Sequence, residues 1–350
     1  MKTTPRPGGE SAAPPPGRMP EPELLALASS LLGSPVASLE PLTAEAGDRR
    51  YLRPQPECGW LVVVADSPPP LPTTAWLARL GLRVPKVRSP RRLGDGPGPR
   101  HAWLVEDLGD ELLARRPDPR SWAAVLAGWE RFAFRPLPED HPRAAARLDA
   151  PLFRRELRKT VERWLVGHRR FGLTAAARAE VEAWCDALSA AAASGPEATQ
   201  HRDLHSRNLV HLHVPATTAA EVAWLDHQDL QRGPLFYDLA SLATDAYVDL
   251  PTEVVERLLP DARDAWAASH GLDPAEAEVR YHTVALQRVL KALGTFGDLL
   301  GHGRREYVAA EARARRLARE LCAAVRPHGP GGRGRAPGPV PTAFEEALAP

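Results

Sequence analysis

The protein has 350 residues, enough for about two domains, and 43% of them are hydrophobic and 25% charged, as in ordinary soluble globular proteins. Its 45 Lys and Arg side chains are matched by 44 Asp and Glu, which leaves a formal net charge of +1 and disfavours a strongly basic nucleic-acid-binding protein. Only four of the basic residues are lysines and none follows a glycine, so a Walker A phosphate-binding loop is excluded.

The cysteine content and the lack of long apolar segments indicate a cytoplasmic protein. Cys58, Cys185 and Cys322 are few and far apart, which disfavours a disulfide or Cys-x-x-Cys zinc scaffold. No stretch approaches the roughly 18 apolar residues that a membrane helix needs, and the first residues do not form a signal-peptide pattern. We expect a cytoplasmic monomer with no membrane or nucleic-acid partner.

The chain order of the predicted elements indicates two lobes between two loose ends. Residues 1–20 are rich in Pro and Gly and are predicted to be disordered, and residues 327–350 are predicted to form a second Pro/Gly-rich tail. Residues 21–107 contain short β-like runs and one helix-like segment, Thr74–Leu80, which predict a small antiparallel β lobe. The runs are Arg49–Arg53, Trp60–Ala65 and Ala102–Glu106.

Residues 108–326 predict a larger, mostly helical lobe. Apolar side chains recur at helical spacing from Phe153 to Leu165, from Val181 to Leu188 and from Val284 to Phe296. Two short apolar runs, Leu209–Leu212 and Val222–Leu225, predict strands next to clusters of polar residues. The expected fold class is therefore α+β, with a small β lobe followed by a helical lobe.

The polar residues around these two short strands carry the strongest functional signal. The segment His201-Arg202-Asp203-Leu204-x-x-x-Asn208 supplies a carboxylate and an amide at the spacing of a kinase catalytic loop, and Asp226 ends the second strand. Phosphoryl transfer needs a carboxylate that accepts the hydroxyl proton, and oxygen ligands for Mg²⁺. Asn208 is the sole asparagine of the sequence, and its position in this loop strengthens the prediction.

Several segments resemble the aminoglycoside phosphotransferase/choline kinase superfamily, whose members share the protein-kinase-like bilobal fold. More particularly, they are similar to the anomeric amino-sugar kinases of bacterial cell-wall recycling, which phosphorylate N-acetylmuramate and N-acetylglucosamine at C1. The segments are DRRYLR (48–53), LRVPKV (82–87), WLVEDLGD (103–110), HRDLHSRNL (201–209), LDHQDLQRGPLFYDLASLATDAYVD (225–249) and LQRVLKALGTFG (286–297).

The resemblance implies a role for each matching residue. Asp203 would be the catalytic base, and Asn208 and Asp226 would hold Mg²⁺, with ATP as the co-substrate. The hinge residues Glu106, Asp107 and Leu108 would meet the nucleotide. His201 and Asp238 would have structural roles, His201 by anchoring the loop and Asp238 by accepting hydrogen bonds at a helix start.

Two departures from the kinase pattern affect the nucleotide site. The strand Trp60–Ala65 has no lysine for the α- and β-phosphates, and Thr74–Leu80 has no glutamate to pair with one. We expect Arg49, Arg50 or Arg53 to supply the missing cation, against the alternative that they are solvated strand-edge residues. In addition, Asp226 is followed by His and Gln where protein kinases have Phe and Gly.

Residues after the metal aspartate and on the last predicted helix are candidates for acceptor binding. They are Gln228, Asp229, Asp245, Tyr247, Arg288 and Lys291. The expected function is ATP- and Mg²⁺-dependent phosphorylation of the anomeric hydroxyl of an N-acetyl amino sugar. The alternatives are a kinase of another small alcohol (choline, an aminoglycoside or homoserine), a nucleotide-binding pseudokinase, and a zinc site formed by His201, His205, His211, His213 and His227.

Overall fold

The computed structural model describes residues 19–42, 49–94, 99–212, 221–325 and 337–349. The chain divides into two compact units, the first within Met1–Leu71 and Pro85–Leu108 and the second within Pro72–Val84 and Gly109–Pro350. The lobe predicted for residues 21–107 spans the first unit together with residues 72–84, which belong to the second. None of the helices in the described ranges has the length and apolar character needed to cross a membrane.

In the described part of the first unit, five antiparallel strands form one sheet in the order β1-β2-β3-β5-β4. The strands are β1 Ser38–Pro41, β2 Arg50–Gln55, β3 Trp60–Ala65, β4 Val87–Arg92 and β5 His101–Glu106. Helix α1 (Glu21–Leu32) packs its apolar residues, including Leu24 and Leu31, with Leu52, Val62 and Leu104 of one sheet face. The predicted antiparallel β lobe is confirmed, although β1, β4 and α1 were not predicted.

The second unit is mostly helical, as predicted. Its helices are α2 Leu71–Arg79, α3 Pro119–Ala133, α4 Ala150–Lys159, α5 Ala175–Ala192, α6 Tyr237–Ala243, α7 Leu259–Ser269, α8 Pro274–Gly301, α9 Val308–Ala324 and α10 Thr342–Leu348, with π-helical segments at Thr160–His168 and Val254–Leu258 and 3₁₀ turns at Ser206–Asn208, His227–Asp229 and Arg305–Tyr307. Two short antiparallel pairs complete it: β6 (Glu197–Gln200) with β9 (Gln231–Pro234), and β7 (Leu209–His211) with β8 (Val222–Trp224).

Local sequence explains where the long helices begin. Asp118, Asp149 and Asp273 precede α3, α4 and α8, and each carboxylate accepts a hydrogen bond from a backbone N–H in the first helical turn. A proline follows each aspartate within two positions, where its missing N–H costs nothing. These helices are therefore fixed at their N-termini by local interactions.

Helix α10 lies in the segment 327–350 that was predicted to be a loose tail. Phe344 is fully buried in the core of the second unit, and its ring centroid lies 5.3 Å from that of Trp184 on α5. Arg169 Nε also donates a hydrogen bond to the carbonyl of Ala347 at 3.1 Å. The Pro/Gly-rich composition predicts a loose tail, but the apolar residues of α10 are packed in the core. The prediction is therefore wrong for residues 337–349.

Helix α8 approaches the π-helical segment Thr160–His168 closely because it has glycines, Gly294 and Gly297, at the contact. A Cβ atom on Gly297 would lie 2.6 Å from Trp164 Cα and 2.7 Å from the carbonyl oxygen of Arg163, and one on Gly294 would lie 2.8 Å from Thr160 Oγ1. Contacts this short are not tolerated between heavy atoms, so a side chain at either position would force the two helical segments to repack. The two glycines therefore set the distance between α8 and the segment that continues α4.

We predict that Gly297→Ala lowers the free energy of unfolding by about 1–3 kcal/mol, because the new methyl group overpacks this contact. Gly301→Ala is the matched control at the end of the same helix, since nothing lies within 4 Å of a Cβ there. Thermal unfolding of both variants checks this. Equal stability of the two variants would contradict the importance of the close approach.

Candidate active site

The predicted catalytic loop connects β6 to β7, and hydrogen bonds bring its polar residues together. Asn208 Nδ2 donates to the carbonyl oxygen of Asp203 at 2.8 Å. Strands β7 and β8 pair, and the amide N–H of Leu225, directly before Asp226, donates to the carbonyl of Asn208 at 2.8 Å. The three predicted residues, Asp203, Asn208 and Asp226, are thereby linked through one loop and one hairpin.

Two non-glycine residues of this region have left-handed backbone conformations. Arg202 has φ of +81° and Asp226 has φ of +53°. Such conformations cost on the order of 1–3 kcal/mol and are concentrated at functional sites, where the surrounding structure holds them. Their positions, directly before Asp203 and at Asp226 itself, agree with a site at these residues.

Asp238 holds the start of the catalytic loop. Its carboxylate is fully buried and accepts hydrogen bonds from the backbone N–H groups of His201 (2.5 Å) and Arg202 (3.0 Å) and from Trp129 Nε1 (2.9 Å). Burial raises its pKa despite these donors. The sequence predicts a structural Asp238 at the start of α6, and in the structure its carboxylate binds the loop rather than the N–H groups of its own helix.

His201 is also fully buried, and its ring lies 5.7 Å from that of Trp224 on β8. Neither ring nitrogen has a hydrogen-bond partner among the described residues. The backbone N–H of His201, held by Asp238, fixes the loop, and the ring fills the space beneath it. This placement agrees with the predicted anchoring role.

Asp203 lies among cations. Lys291 Nζ lies 3.0 Å from its Oδ1 and Arg288 Nη2 lies 3.8 Å from the same atom, while the Asp203 side chain is 30% exposed. Burial alone would raise the pKa of Asp203, but Lys291, Arg288 and Arg202 outweigh it and hold that pKa well below its usual range. The carboxylate is therefore ionised at every physiological pH.

Glu156 on α4 is a buried second carboxylate that the sequence did not indicate. It accepts a hydrogen bond from Gln287 Nε2 at 3.0 Å, and its Oε1 lies 3.7 Å from Arg202 Nη2 and 3.9 Å from Lys291 Nζ. Three cations and two carboxylates thus form one cluster, with Asp203 as its most exposed carboxylate. A charged residue on the apolar stripe that includes Phe153 was the signal that could have revealed it.

The predicted acceptor residues fall into two groups. Gln228 donates to Asp226 Oδ1 at 2.6 Å, and Asp229 lies 3.6 Å from Arg143 and 3.8 Å from Arg202. These two lie at the site together with Arg288 and Lys291.

Asp245 and Tyr247 are placed differently. Both oxygens of Asp245 accept backbone hydrogen bonds, from Ser206 at 2.6 Å and from Tyr247 at 2.8 Å, and burial raises its pKa. These hydrogen bonds favour a structural role for Asp245, the alternative to acceptor binding for a carboxylate at this position, and its contact with the acceptor stays a prediction. The ring centroid of Tyr247 lies 5.2 Å from that of His205, and the guanidinium carbon of Arg207 lies 4.7 Å from the Tyr247 ring centroid.

The predicted nucleotide residues lie in the first unit. Asp107 forms a two-pronged ion pair with Arg53, with Nε–Oδ2 of 2.7 Å and Nη2–Oδ1 of 3.1 Å. Glu106 Oε2 accepts from the backbone N–H of Lys86 at 3.1 Å. Leu108, Arg49 and Arg50 are half-buried.

The alternative zinc site finds no support in the described ranges. There, no group of three or more His, Cys, Asp or Glu side chains is arranged to hold a metal ion. His227 is bonded to Thr74 Oγ1 at 2.8 Å, and His211 lies 3.1 Å from Ser121 Oγ and 2.7 Å from the carbonyl of Arg116. His213 lies outside the described residues.

Residues 38–278 match the phosphotransferase enzyme family APH. The chain belongs to this family. It is 32% identical over 285 residues to the N-acetylmuramate/N-acetylglucosamine kinase of Pseudomonas putida, which covers 76% of this chain and 77% of that protein. The corresponding protein of Pseudomonas aeruginosa is 29% identical over 280 residues, covering 76% and 78%. This member of the APH family is accordingly a small-molecule kinase.

Two solved structures share its fold. A choline/ethanolamine kinase family protein from Mesorhizobium loti matches with a TM-score of 0.53 and 13% identity, over 93% of this chain and 98% of that one. A microcompartment-associated aminopropanol kinase matches with a TM-score of 0.52 and 19% identity, over 85% and 98%. At these identities the similarity concerns the fold alone, and it confirms the predicted kinase-like α+β class.

We predict that Glu156→Gln lowers the free energy of unfolding by about 3 kcal/mol, because it removes a buried negative charge that lies beside both Arg202 and Lys291. Glu162→Gln, at an exposed position of the following segment, is the matched control and should change stability by less than about 0.5 kcal/mol. Urea unfolding measures both. If the two variants were equally stable, Glu156 would not hold the cationic cluster.

Proposed function

We propose that this kinase transfers the γ-phosphoryl group of ATP to the anomeric hydroxyl of an N-acetyl amino sugar, N-acetylmuramate and/or N-acetylglucosamine. One observation carries the proposal: the carboxylate of Asp203 and the oxygen-bearing side chains of Asn208 and Asp226 belong to one hydrogen-bonded loop and hairpin. The acceptor class is supported by the two Pseudomonas relatives, which are named as kinases of these sugars.

In the proposed reaction the acceptor oxygen bonds to the γ-phosphorus, the bond from that phosphorus to the β,γ-bridging oxygen breaks, and ADP leaves. Asp203 takes the hydroxyl proton. Because the neighbouring cations hold the pKa of Asp203 low, the carboxylate is a weak base. It accepts the proton only when the forming bond to phosphorus has made the hydroxyl acidic. Its first task is therefore to orient the hydroxyl, which suits the loose transition state of phosphoryl transfer.

The residues present fit a magnesium ion. Asn208 donates from its amide nitrogen to Asp203, so its amide oxygen remains for a metal, and the exposed carboxylate of Asp226 offers a second hard ligand. Bound there, Mg²⁺ would neutralise charge on the phosphate oxygens. Gln228 would fix the carboxylate of Asp226 through its 2.6 Å hydrogen bond.

The cations around Asp203 would serve the acceptor side. Lys291 and Arg288 reach Asp203 from α8, and Glu156 holds Lys291 from the other side. An N-acetylmuramate carboxylate or the transferring phosphoryl group would be attracted to this cluster. The same cluster would repel a polycationic aminoglycoside, so we favour a neutral or anionic sugar.

Incubation of the purified protein with MgATP and each sugar, followed by ³¹P NMR, tests the function. We expect a new sugar phosphate signal coupled to the anomeric proton, together with ADP. Choline, homoserine and an aminoglycoside are the comparison acceptors. Turnover of one of these without turnover of either N-acetyl sugar would refute the acceptor class, and ATP binding without transfer to any acceptor would refute the enzymatic proposal.

Asp203→Asn should lower kcat by a factor of about 10²–10⁴, the usual contribution of a positioned proton acceptor, while nucleotide binding stays within about twofold. Asp261→Asn, on the exposed face of α7, is the control and should keep full activity. Steady-state kinetics and a nucleotide titration measure the two effects. Retention of wild-type kcat by Asp203→Asn would remove this residue from the mechanism.

A further inference from the structure

The first unit needs a cation for the nucleotide phosphates, since β3 has no lysine. Its three candidate arginines, Arg49, Arg50 and Arg53, lie within five residues of one another, but they belong to different faces of the sheet. Because successive side chains of a strand point to opposite faces, Arg49 and Arg53 belong to one face and Arg50 to the other. The structure therefore distinguishes residues that the sequence leaves equivalent.

The two faces of the sheet are occupied differently. Leu52, Val62 and Val64 belong to the face that packs with α1, and Arg50 shares the alternation of Leu52. The opposite face carries a separate cluster of Val63, Ala65 and Trp103, joined by Tyr51, Val87 and Val105. Arg49 and Arg53 flank Tyr51 on this second face, which α1 does not cover.

Arg53 is already engaged on this face. Its guanidinium forms the two-pronged ion pair with Asp107, and its side chain is only 12% exposed. This ion pair uses two of the five N–H donors of the guanidinium, and moving Arg53 towards a phosphate would break the partly buried pair with Asp107. Arg53 is therefore a structural tie between β2 and the residue after β5.

Arg49 has a different environment. The β2–β3 register pairs Arg50 with Val64, and extending it by one residue puts Arg49 opposite the small Ala65. The guanidinium of Arg49 lies 6.0 Å from the ring centroid of Trp103. Its Nε is buried with no hydrogen-bond partner, and no ion pair involves Arg49 among the described residues. This guanidinium is thus held by an aromatic ring and keeps its donors.

We propose that Arg49 is the phosphate-binding cation of the nucleotide site, in place of the strand lysine of other kinases. The proposal rests on the proposed use of ATP. A planar guanidinium can bind two oxygens of a phosphate group at once, and the ring of Trp103 restricts its position without using any of its N–H groups.

Calorimetric titration of the full-length protein with ADP and with adenosine tests this assignment, because only ADP carries phosphates. Arg49→Met should weaken ADP binding at least about tenfold and leave adenosine binding within twofold, and Arg49→Lys should recover part of the ADP affinity. Arg88→Met is the matched control, since Arg88 also stacks on a tryptophan of this sheet, Trp60, at 3.9 Å. It should change neither affinity.

Three results would overturn the assignment of Arg49. These are unchanged ADP binding by Arg49→Met, an equal loss of ADP and adenosine binding in an Arg49→Met protein that keeps the wild-type melting temperature, and a loss of ADP binding by Arg53→Met while Arg49→Met binds ADP as the wild type does. If the wild-type protein bound neither ligand, nucleotide use itself, and with it the proposed function, would fail. The adenosine titration also reports whether each variant is folded, so a phosphate-specific loss is not a folding defect.

Discussion

The site depends on the buried carboxylate of Asp238, which holds the catalytic loop. Burial of an ionised group in the second unit is unfavourable unless donors surround it, and Asp238 has three: two backbone N–H groups of the catalytic loop and the indole of Trp129. Those two backbone groups belong to His201 and to Arg202, whose left-handed conformation would otherwise relax. These hydrogen bonds offset the cost of burying Asp238 and fix the loop. Asp203 is the next residue after Arg202, so its backbone position is fixed as well.

A second support comes from helix packing far along the chain. Glycines of α8 allow that helix to lie against the segment continuing α4, and Gln287 joins the two through Glu156. Arg288 and Lys291 reach Asp203 as a result of this packing. The charge around the candidate base is therefore determined by two helices that are distant from the loop in sequence.

The parts of this arrangement that could be predicted are those encoded locally. The loop from His201 to Asn208, the strands β2, β3 and β5, and the amphipathic helices follow from spacing and periodicity. The pairing of Glu156 with Lys291 could not be predicted, because it depends on tertiary packing. The sequence also does not distinguish Asp245 from an acidic residue that binds substrate, because its backbone hydrogen-bond donors are visible only in the structure. Helix α10 was missed because a Pro/Gly-rich stretch precedes it and only Phe344 and its neighbours anchor it.

The orientation of Asn208 explains why an asparagine stands at this position. Its amide N–H donates a hydrogen bond to the carbonyl oxygen of Asp203, and its amide oxygen takes no part in that contact. An aspartate has the same shape but would set an oxygen against that carbonyl and repel it, while a glutamine has both groups on a longer arm that would no longer fit the turn. Asparagine has a hydrogen-bond donor and an acceptor on the same carbon atom, Cγ. Among the twenty amino acids, glutamine alone shares this pair of groups, and its side chain is one methylene longer.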